Sequence, residues 1–182
     1  MTATFFRWSL DDWHELVNSG ILANKKVELL EGEIVQMSPE GIPHRHTNHE
    51  IVKYLRQLLG DGAEVYEAHP VTLDESEPEP DIAIVRSPSL RYRYHHPFKE
   101  DIYWLIEISK TTLNQDLGQK ADIYARNDIA EYWVIDLSNQ KMFVHTQPNN
   151  GKYQKINEYT TGFIQPLAFS GIEIDLSKLL IY

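Results

Sequence analysis

Two carboxylates in two short apolar runs are the residues of this chain best suited to chemistry. Asp81 opens the run 81–85 (DIAIV), and Glu107 lies inside the run 104–109 (WLIEIS). A charged group inside an apolar strand is costly unless it is paired or ligates a metal ion. Two acids on neighbouring strands, with an amine nearby, can hold a divalent cation and a water beside a phosphate.

The alternation of side chains along a strand predicts where these carboxylates point. In the second run, Trp104 and Ile108 share one face of the strand, and Glu107 takes the other. In the first run, Asp81 shares a face with Val85. If the two runs pair, both carboxylates lie on the same face near one end of a sheet.

Lys120 is the amine that best completes such a site. The segment 115–125 (QDLGQKADIYA) has apolar residues at helical spacing, which predicts an amphipathic helix. Asp116 lies one turn before Lys120 on the same side, and a helix docked on the sheet would direct Lys120 at the carboxylates. Lys110 is three residues beyond Glu107, so an extended backbone would point it to the opposite face.

The order of these motifs resembles the Uma-type putative restriction endonuclease family, which has the PD-(D/E)XK nuclease-like fold. The resemblance covers residues 8–179 and departs from the family pattern at Ser109, the third position of the E-x-K element. It is carried by Pro80-Asp81, Glu107-Ile108-Ser109, Asp116 and Lys120 before ADIY (121–124), EYWVID (131–136), and upstream VELLEGEI (27–34) and MSPEG (37–41).

This resemblance implies metal-dependent hydrolysis of phosphodiester bonds, with Mg²⁺ or Mn²⁺ as the cofactor. Asp81 and Glu107 would ligate the ion together with the Ile108 carbonyl, because hard cations prefer oxygen ligands. Lys120, a lysine moved from strand to helix, would orient the attacking water or stabilise charge in the transition state. Of the residues matched upstream, Glu28 would complete a second metal position, and the family pattern also places a histidine near His44, which would contact the substrate or the metal-bound water.

Two of these assignments have simpler alternatives. Glu28 could be a charged strand residue paired with Lys25 or Lys26. The three histidines within residues 44–49 could together suit zinc, although short histidine-rich stretches more often lie solvated at the entry to a helix.

The segment 87–100, between the two acidic strands, combines basic and aromatic side chains. Arg91, Arg93 and Lys99 are candidates for nucleic-acid contacts, because such residues pair with phosphates and stack on bases. The alternative is a loop whose aromatic residues anchor it to the core or to a second subunit. Just before the Asp81 strand lies the acidic connector 74–80. Its Glu77 and Glu79 could reach the metal region, although charges in such a connector are more often solvated, which is the expectation here.

Composition limits the classes of function. With 17 basic and 27 acidic residues, the net charge of -10 argues against a general DNA-coating protein, whose affinity would come from phosphate neutralisation. The absence of cysteine excludes disulfides and thiolate metal sites, and it is compatible with the cytoplasm, the expected location. No run is long and apolar enough for a membrane span, and the first residues lack the pattern of a signal peptide.

The elements expected around the site make an α/β fold. A chain of 182 residues suits one domain, so we predict a single restriction-endonuclease-like domain over residues 1–182, with a central mixed β-sheet flanked by helices and a β-rich C-terminal part. The predicted elements are a helix over 9–19 capped by Ser9, a hairpin over 25–39 turning at Glu31-Gly32, a helix over 47–59, a strand over 63–73, strands at 131–137 and 141–147, a turn at 148–151 and a short terminal helix at 177–180.

Three functions follow from this pattern. The first is a metal-dependent endonuclease acting on nucleic acid, with DNA as the expected substrate and a homodimer expected from the resemblance. The second is a non-catalytic nuclease-fold module that binds nucleic acid or a protein partner, which Ser109 and the negative net charge favour. The third is a structural protein in which Asp81, Glu107 and Lys120 form only a buried ion network.

Overall fold

Helices are interspersed with strands through the first two thirds of the chain, and strands dominate the rest, in a computed structural model that describes residues 5–181. The helical segment 113–126 has three parts and is named the Lys120 helix below. In chain order the elements are α1 (Leu10–Asn18), β1 (Val27–Leu30), β2 (Glu33–Gln36), α2 (Ile42–Leu59), β3 (Glu64–Glu67), β4 (Ile82–Val85), β5 (Ile102–Ser109), α3 (Leu113–Gln115), a π-helical turn (Asp116–Lys120), α4 (Ala121–Arg126), β6 (Glu131–Asp136), β7 (Lys141–Asn149), β8 (Lys152–Tyr159), β9 (Phe163–Ile164), β10 (Ile174–Asp175) and a 3₁₀ turn (Leu176–Lys178).

Strands β3 to β8 form a six-stranded sheet in that spatial order. The pair β5–β6 is parallel, and the other neighbouring pairs are antiparallel, so the predicted mixed sheet is confirmed. Strands β1 and β2 make a separate antiparallel hairpin, as do β9 and β10. The β-rich C-terminal part was also predicted.

Each face of the sheet carries its own apolar core. Trp104 and Ile106 of β5 pack with Leu55 and other apolar residues of α2. Leu105, on the opposite face, packs with Tyr124 and other apolar residues of the Lys120 helix. The face alternation predicted for β5 is therefore confirmed, and Glu107 lies on the side of the Lys120 helix.

The predicted N-terminal helix and hairpin are both present. Ser9 caps α1 in a capping box, in which its hydroxyl accepts from the Asp12 amide and the Asp12 carboxylate accepts from the Ser9 amide. The hairpin turns at Glu31 and Gly32, whose φ angles of 50° and 75° match the two-residue turn that suits the twist of paired strands. A Cβ at Gly32 would lie 2.8 Å from the Arg7 Cβ, so the position favours glycine for space as well.

Two predicted boundaries were wrong by five residues or more. Helix α2 begins at Ile42 instead of residue 47, because Pro43 lies in the first turn, where its missing N–H is harmless. The strand predicted over 63–73 ends at Glu67, where Ala68 adopts a φ of 48° that breaks the extended run.

The acidic connector is only partly solvated, contrary to expectation. Glu77 is buried, and its carboxylate accepts hydrogen bonds from the Trp13 indole at 3.0 Å and the Thr72 hydroxyl at 2.9 Å. Its other contact is His14, 2.8 Å away on α1. Glu77 thus fastens α1 to the body of the protein.

The basic and aromatic segment 87–100 lies at the opposite end of the sheet from Asp81 and Glu107. It leaves β4 at Val85 and enters β5 at Ile102, whereas Asp81 precedes β4 and Glu107 is near the far end of β5. At about 3.3 Å per residue along β5, the segment begins roughly 15–20 Å from Glu107.

Two of its three candidate nucleic-acid residues form ion pairs within the chain. Arg91 lies 2.9 Å from Asp101, and Lys99 lies 2.7 Å from Asp74. Arg93 stacks its guanidinium over the Tyr94 ring at 5.2 Å. The two ion pairs support anchoring of the segment to the body of the protein, whereas the Arg93 stack lies within the segment. Within residues 5–181, no helix combines the length and the apolar character needed to cross a bilayer.

Candidate functional site

The structure brings the two predicted carboxylates together at one end of the sheet. Ile82 of β4 pairs with Ile106 of β5, so Asp81 and Glu107, one step further on, lie side by side on the same face. Both line a cavity of about 240 Å³, and Glu107 is only 4% exposed. The pairing of the two runs produces the arrangement that alternation predicted.

Asp81 is held by the backbone of the neighbouring strand and by α2. Its Oδ2 accepts from the Ile108 amide at 2.6 Å and lies 3.1 Å from Nε2 of His44. On β5, the Ser109 carbonyl accepts from Leu137 beyond β6, so the N–H and C=O of Ile108 point the other way, towards Asp81. The Ile108 carbonyl is therefore on the Asp81 side of β5.

Lys120 forms the centre of a buried ion cluster. Its ammonium lies 2.9 Å from Glu107 Oε1 and 3.4 Å from Glu28 Oε2, and the residue is 6% exposed. Burial alone would lower the pKa of Lys120, but the charges of Glu107 and Glu28 raise it above its usual value. Burial raises the pKa of Glu107 well above its usual range, while Lys120 acts in the opposite direction.

The π-helical turn sets the direction of three buried side chains. In a regular α-helix, Asp116 and Tyr124 would lie about 80° apart around the axis, because eight residues advance about 800°. A π turn accommodates one extra residue and removes about 100°, which leaves the two within roughly 20°. Asp116, Lys120 and Tyr124 consequently all face the sheet, and the Tyr124 hydroxyl donates to Glu107 Oε1 at 2.9 Å.

Ser109 and Asp116 belong to a small hydroxyl–carboxylate group on the cavity wall. Thr112 donates its hydroxyl proton to Asp116 at 2.7 Å, and the Ser109 and Thr112 hydroxyl oxygens are 3.3 Å apart. Burial raises the pKa of Asp116, and the Thr112 hydrogen bond works against that rise. Ser109 is fully buried at the position where the E-x-K element has lysine, so the cation at this site comes from Lys120 on the helix.

Glu28 reaches the site from the separate β1–β2 hairpin. It is buried, accepts from the Glu79 amide at 3.2 Å, and pairs with Lys120, whereas Lys25 and Lys26 are exposed. The cation beside Glu28 is thus Lys120. Neither sequence-based assignment of Glu28, to a second metal position or to a pair with Lys25 or Lys26, predicted this contact. Burial raises the pKa of Glu79, and the Glu28 charge adds to that rise.

His44 lies in the first turn of α2 and bridges two carboxylates. Its ring nitrogens are 3.1 Å from Asp81 and 3.4 Å from Glu40. Burial alone would lower the pKa of His44, but the hydrogen bond and charge of Asp81, with a smaller contribution from Glu40, raise it to about 9. His44 is therefore a cation at neutral pH, while His46 and His49 are exposed.

The zinc alternative finds no support in the described residues. Between residues 5 and 181, no cluster of three or more histidine, aspartate or glutamate side chains has the arrangement of a metal site. A metal ion beside Asp81 and Glu107 would need main-chain and water ligands in addition to these two side chains.

Sequence reasoning missed several residues of the cavity. Lys110 lines it although alternation placed this side chain on the opposite face, because β5 ends at Ser109 and the backbone bends there. Tyr124 contacts Glu107 without lining the cavity; it is one of the apolar residues at helical spacing in the segment 115–125, and its spacing of four residues from Lys120 was the available sign of a role at the site. Lys26, considered in the sequence only as a partner of Glu28, also lines the cavity, as does Gln115, whose sequence context gave no indication of it.

The cavity has an excess of negative charge. Among its lining residues, six carboxylates face three lysines and His44, which leaves two uncompensated negative charges when every group is ionised. This excess equals the charge of one divalent cation. The carboxylates are Glu28, Glu40, Glu79, Asp81, Glu107 and Asp116, and the lysines are Lys26, Lys110 and Lys120.

Comparison with known proteins assigns the chain to a family. A crystal structure of a putative nuclease belonging to DUF820 from Anabaena variabilis ATCC 29413 is similar, with a TM-score of 0.65 and 19% identity over 85% of this chain and 89% of that one. At this identity the likeness shows a shared fold. A search of curated proteins finds no match. The family model Uma2, described as "Putative restriction endonuclease", matches residues 10–177, and the chain belongs to this family.

Proposed function

We propose that this protein is a nuclease that uses a divalent cation to hydrolyse phosphodiester bonds, with DNA as its substrate. The observation that carries the proposal is the pair Asp81 and Glu107, side by side in a cavity, with the Lys120 ammonium on Glu107. Membership of the family whose model is described as "Putative restriction endonuclease" supports the same reaction.

The donor set fits Mg²⁺ or Mn²⁺. Asp81, Glu107 and the Ile108 carbonyl offer hard oxygen ligands on one side of β5, and the cavity has two negative charges in excess when every lining group is ionised. These three groups would hold the ion, which would polarise a phosphate and make a water more acidic. The repulsion between the carboxylates would fall when such a cation binds, because their mutual charges contribute to the raised pKa of Glu107.

The protein side chains have distinct roles in this scheme. Lys120 stays protonated because its pKa is raised, so it stabilises negative charge on the phosphate and does not take a proton from water. His44, with a pKa of about 9, holds Asp81 Oδ2 and fixes the orientation of that carboxylate. Glu28 neutralises Lys120 from the hairpin side, and a role for it at a second metal position extends the proposal.

The test measures metal binding and cleavage together. Mn²⁺ would be titrated calorimetrically into the wild type, Asp81→Asn, Glu107→Gln and the matched control Glu15→Gln, a glutamate exposed on α1. The same proteins would be incubated with supercoiled plasmid DNA and Mn²⁺. We expect binding and nicking in the wild type and control only. Nicking that persists in both site variants would show that the reaction takes place elsewhere.

The two alternative functions give other outcomes in the same experiment. A non-catalytic module would bind DNA without nicking it. The ion-network alternative, to which the contacts of Lys120 with Glu107 and Glu28 lend some support, would show neither metal binding nor cleavage. Sedimentation analysis of the wild type would test the expected homodimer.

Nucleic-acid contacts by Arg91, Arg93 and Lys99 also remain part of the proposal. Because the segment starts roughly 15–20 Å from Glu107, such contacts would fall about five base pairs from the cleaved bond, at 3.4 Å per pair. Arg93→Ala removes the cation of this group that stacks on Tyr94, and it should weaken DNA binding without changing Mn²⁺ affinity.

A further inference from the structure

The hydroxyl of Tyr124 is a buried polar group that the reaction scheme above does not use. Tyr124 is 0% exposed, and its hydroxyl donates to Glu107 Oε1 at 2.9 Å. Lys120 donates to the same oxygen, also at 2.9 Å. Two donors from one helix therefore converge on a single oxygen of the carboxylate.

We propose that Tyr124 is a positioning residue that fixes the plane of the Glu107 carboxylate. With Oε1 occupied by two donors, Oε2 is the oxygen that Glu107 presents to the cavity. Residues that hold a metal-binding side chain in place in this way strongly affect metal affinity. The inference rests on the proposed function, since it concerns how Glu107 meets the cation.

Lys120 alone would hold Glu107 less firmly than the two donors together. Its ammonium sits on a flexible four-carbon stem and can rotate its three donors, so it constrains distance more than orientation. It is also shared with Glu28 at 3.4 Å. A phenol hydroxyl is attached to a rigid ring, so its direction is set by the packing of that ring.

The packing around Tyr124 gives the required rigidity. Its ring meets the Tyr132 ring edge-on, with centroids 4.8 Å apart, and Tyr132 stacks at 6.3 Å on Tyr153. The Tyr132 hydroxyl in turn donates to the Asp116 carbonyl at 3.1 Å, in the π-helical turn. The helix turn and the ring stack thus both determine the position of the Tyr124 hydroxyl.

Tyr153 provides a matched control in the same aromatic group. Its hydroxyl donates to the Ile129 carbonyl at 2.8 Å, and its ring contacts Tyr132 and His145. Tyr153→Phe removes one hydroxyl from this group, as Tyr124→Phe does, but it leaves the hydrogen bonds of Glu107 unchanged. The comparison separates the hydrogen bond to Glu107 from the general effect of losing an internal phenol hydroxyl.

The experiment is calorimetric titration of Mn²⁺ into the wild type, Tyr124→Phe and Tyr153→Phe, with thermal unfolding to confirm that each protein is folded. We expect Tyr124→Phe to weaken Mn²⁺ binding by about tenfold or more, and Tyr153→Phe to change it by less than about twofold.

The outcomes distinguish the two proposals. If the wild type binds Mn²⁺ and both Tyr124→Phe and Tyr153→Phe bind it with the affinity of the wild type, the positioning role is overturned and the proposed function is left intact. Absence of Mn²⁺ binding and DNA cleavage in the wild type would overturn both. Equal losses in the two phenylalanine variants would assign the effect to packing and would also refute the positioning role.

Discussion

Lys120→Met removes the central charge of the ion cluster and keeps most of the apolar stem. Lys120 contacts Glu107 at 2.9 Å and Glu28 at 3.4 Å, and both carboxylates are buried. Removing one partner of a buried pair destabilises a protein by about 3–5 kcal/mol, since the remaining charge is left uncompensated. Because two carboxylates are left here, we expect a loss near the upper end of that range, a large part of a typical folding free energy of about 5–15 kcal/mol.

The loss should depend on pH with a definite sign. The pKa of Glu107 is raised in the folded protein, so its ionisation opposes folding as the pH rises above its ordinary value of 4.5. Without Lys120 this pKa rises further. The difference in unfolding free energy between the wild type and Lys120→Met should therefore shrink as the pH is lowered from about 8 to about 5.

Urea unfolding across that pH range is the assay, with Lys53→Met, an exposed lysine of α2, as the control. The control should lower the free energy of unfolding by less than about 0.5 kcal/mol. Adding Glu107→Gln to Lys120→Met should restore part of the stability, because it removes one stranded charge. A loss below about 1 kcal/mol that does not vary with pH would refute the buried ion cluster.

Three further predictions concern the surroundings of the site. The pKa of His44 is raised to about 9, so the contribution of its protonation to stability is fully present below pH 6.5 and disappears as the pH rises through about 9. NMR titration should find a pKa of about 9 for His44, and Asp81→Asn should bring that pKa down towards 6.5. Gly118→Ala should stabilise the protein by about 0.5–1 kcal/mol in thermal unfolding, because a Cβ there meets no atom within 4 Å and alanine favours the helix; a loss would mean that the π-helical turn requires glycine. Glu77→Ala should lower the free energy of unfolding by about 2–3 kcal/mol and increase proteolysis of α1, because the buried Trp13 indole and Thr72 hydroxyl lose their acceptor. The control Glu75→Ala, on the same connector, should have little effect.

The parts of the site that lie on regular strands could be predicted from the sequence. Strand alternation has a period of two, so the faces of Asp81 and Glu107 followed once β4 and β5 paired. The contact of Lys120 with the carboxylates could also be predicted, because a buried lysine on a helix docked on that face has few other partners. The hairpin turn at Glu31 and Gly32 was specified by local backbone chemistry.

The contacts that could not be predicted depend on departures from regular geometry. The π-helical turn changes the phase of the Lys120 helix, and this change directs Tyr124 to Glu107. The bend after Ser109 brings Lys110 to the cavity. Glu77 lies in a connector that resembles a solvated segment by composition, and only the fold shows that Trp13 lies over it. Each case requires knowledge of tertiary packing that residue periodicity does not contain.

The separate β1–β2 hairpin is held to the rest of the protein partly by a charge. A two-stranded hairpin is marginal by itself and would be expected to fray, with rapid exchange of its amide hydrogens. Yet Glu28 is tied to Lys120, and the backbone of Leu29 bonds to that of Glu77 in both directions. Opening the hairpin alone would separate Glu28 from the buried Lys120, which would keep only Glu107 as a partner, so the hairpin amides should exchange more slowly than those of a free two-stranded hairpin.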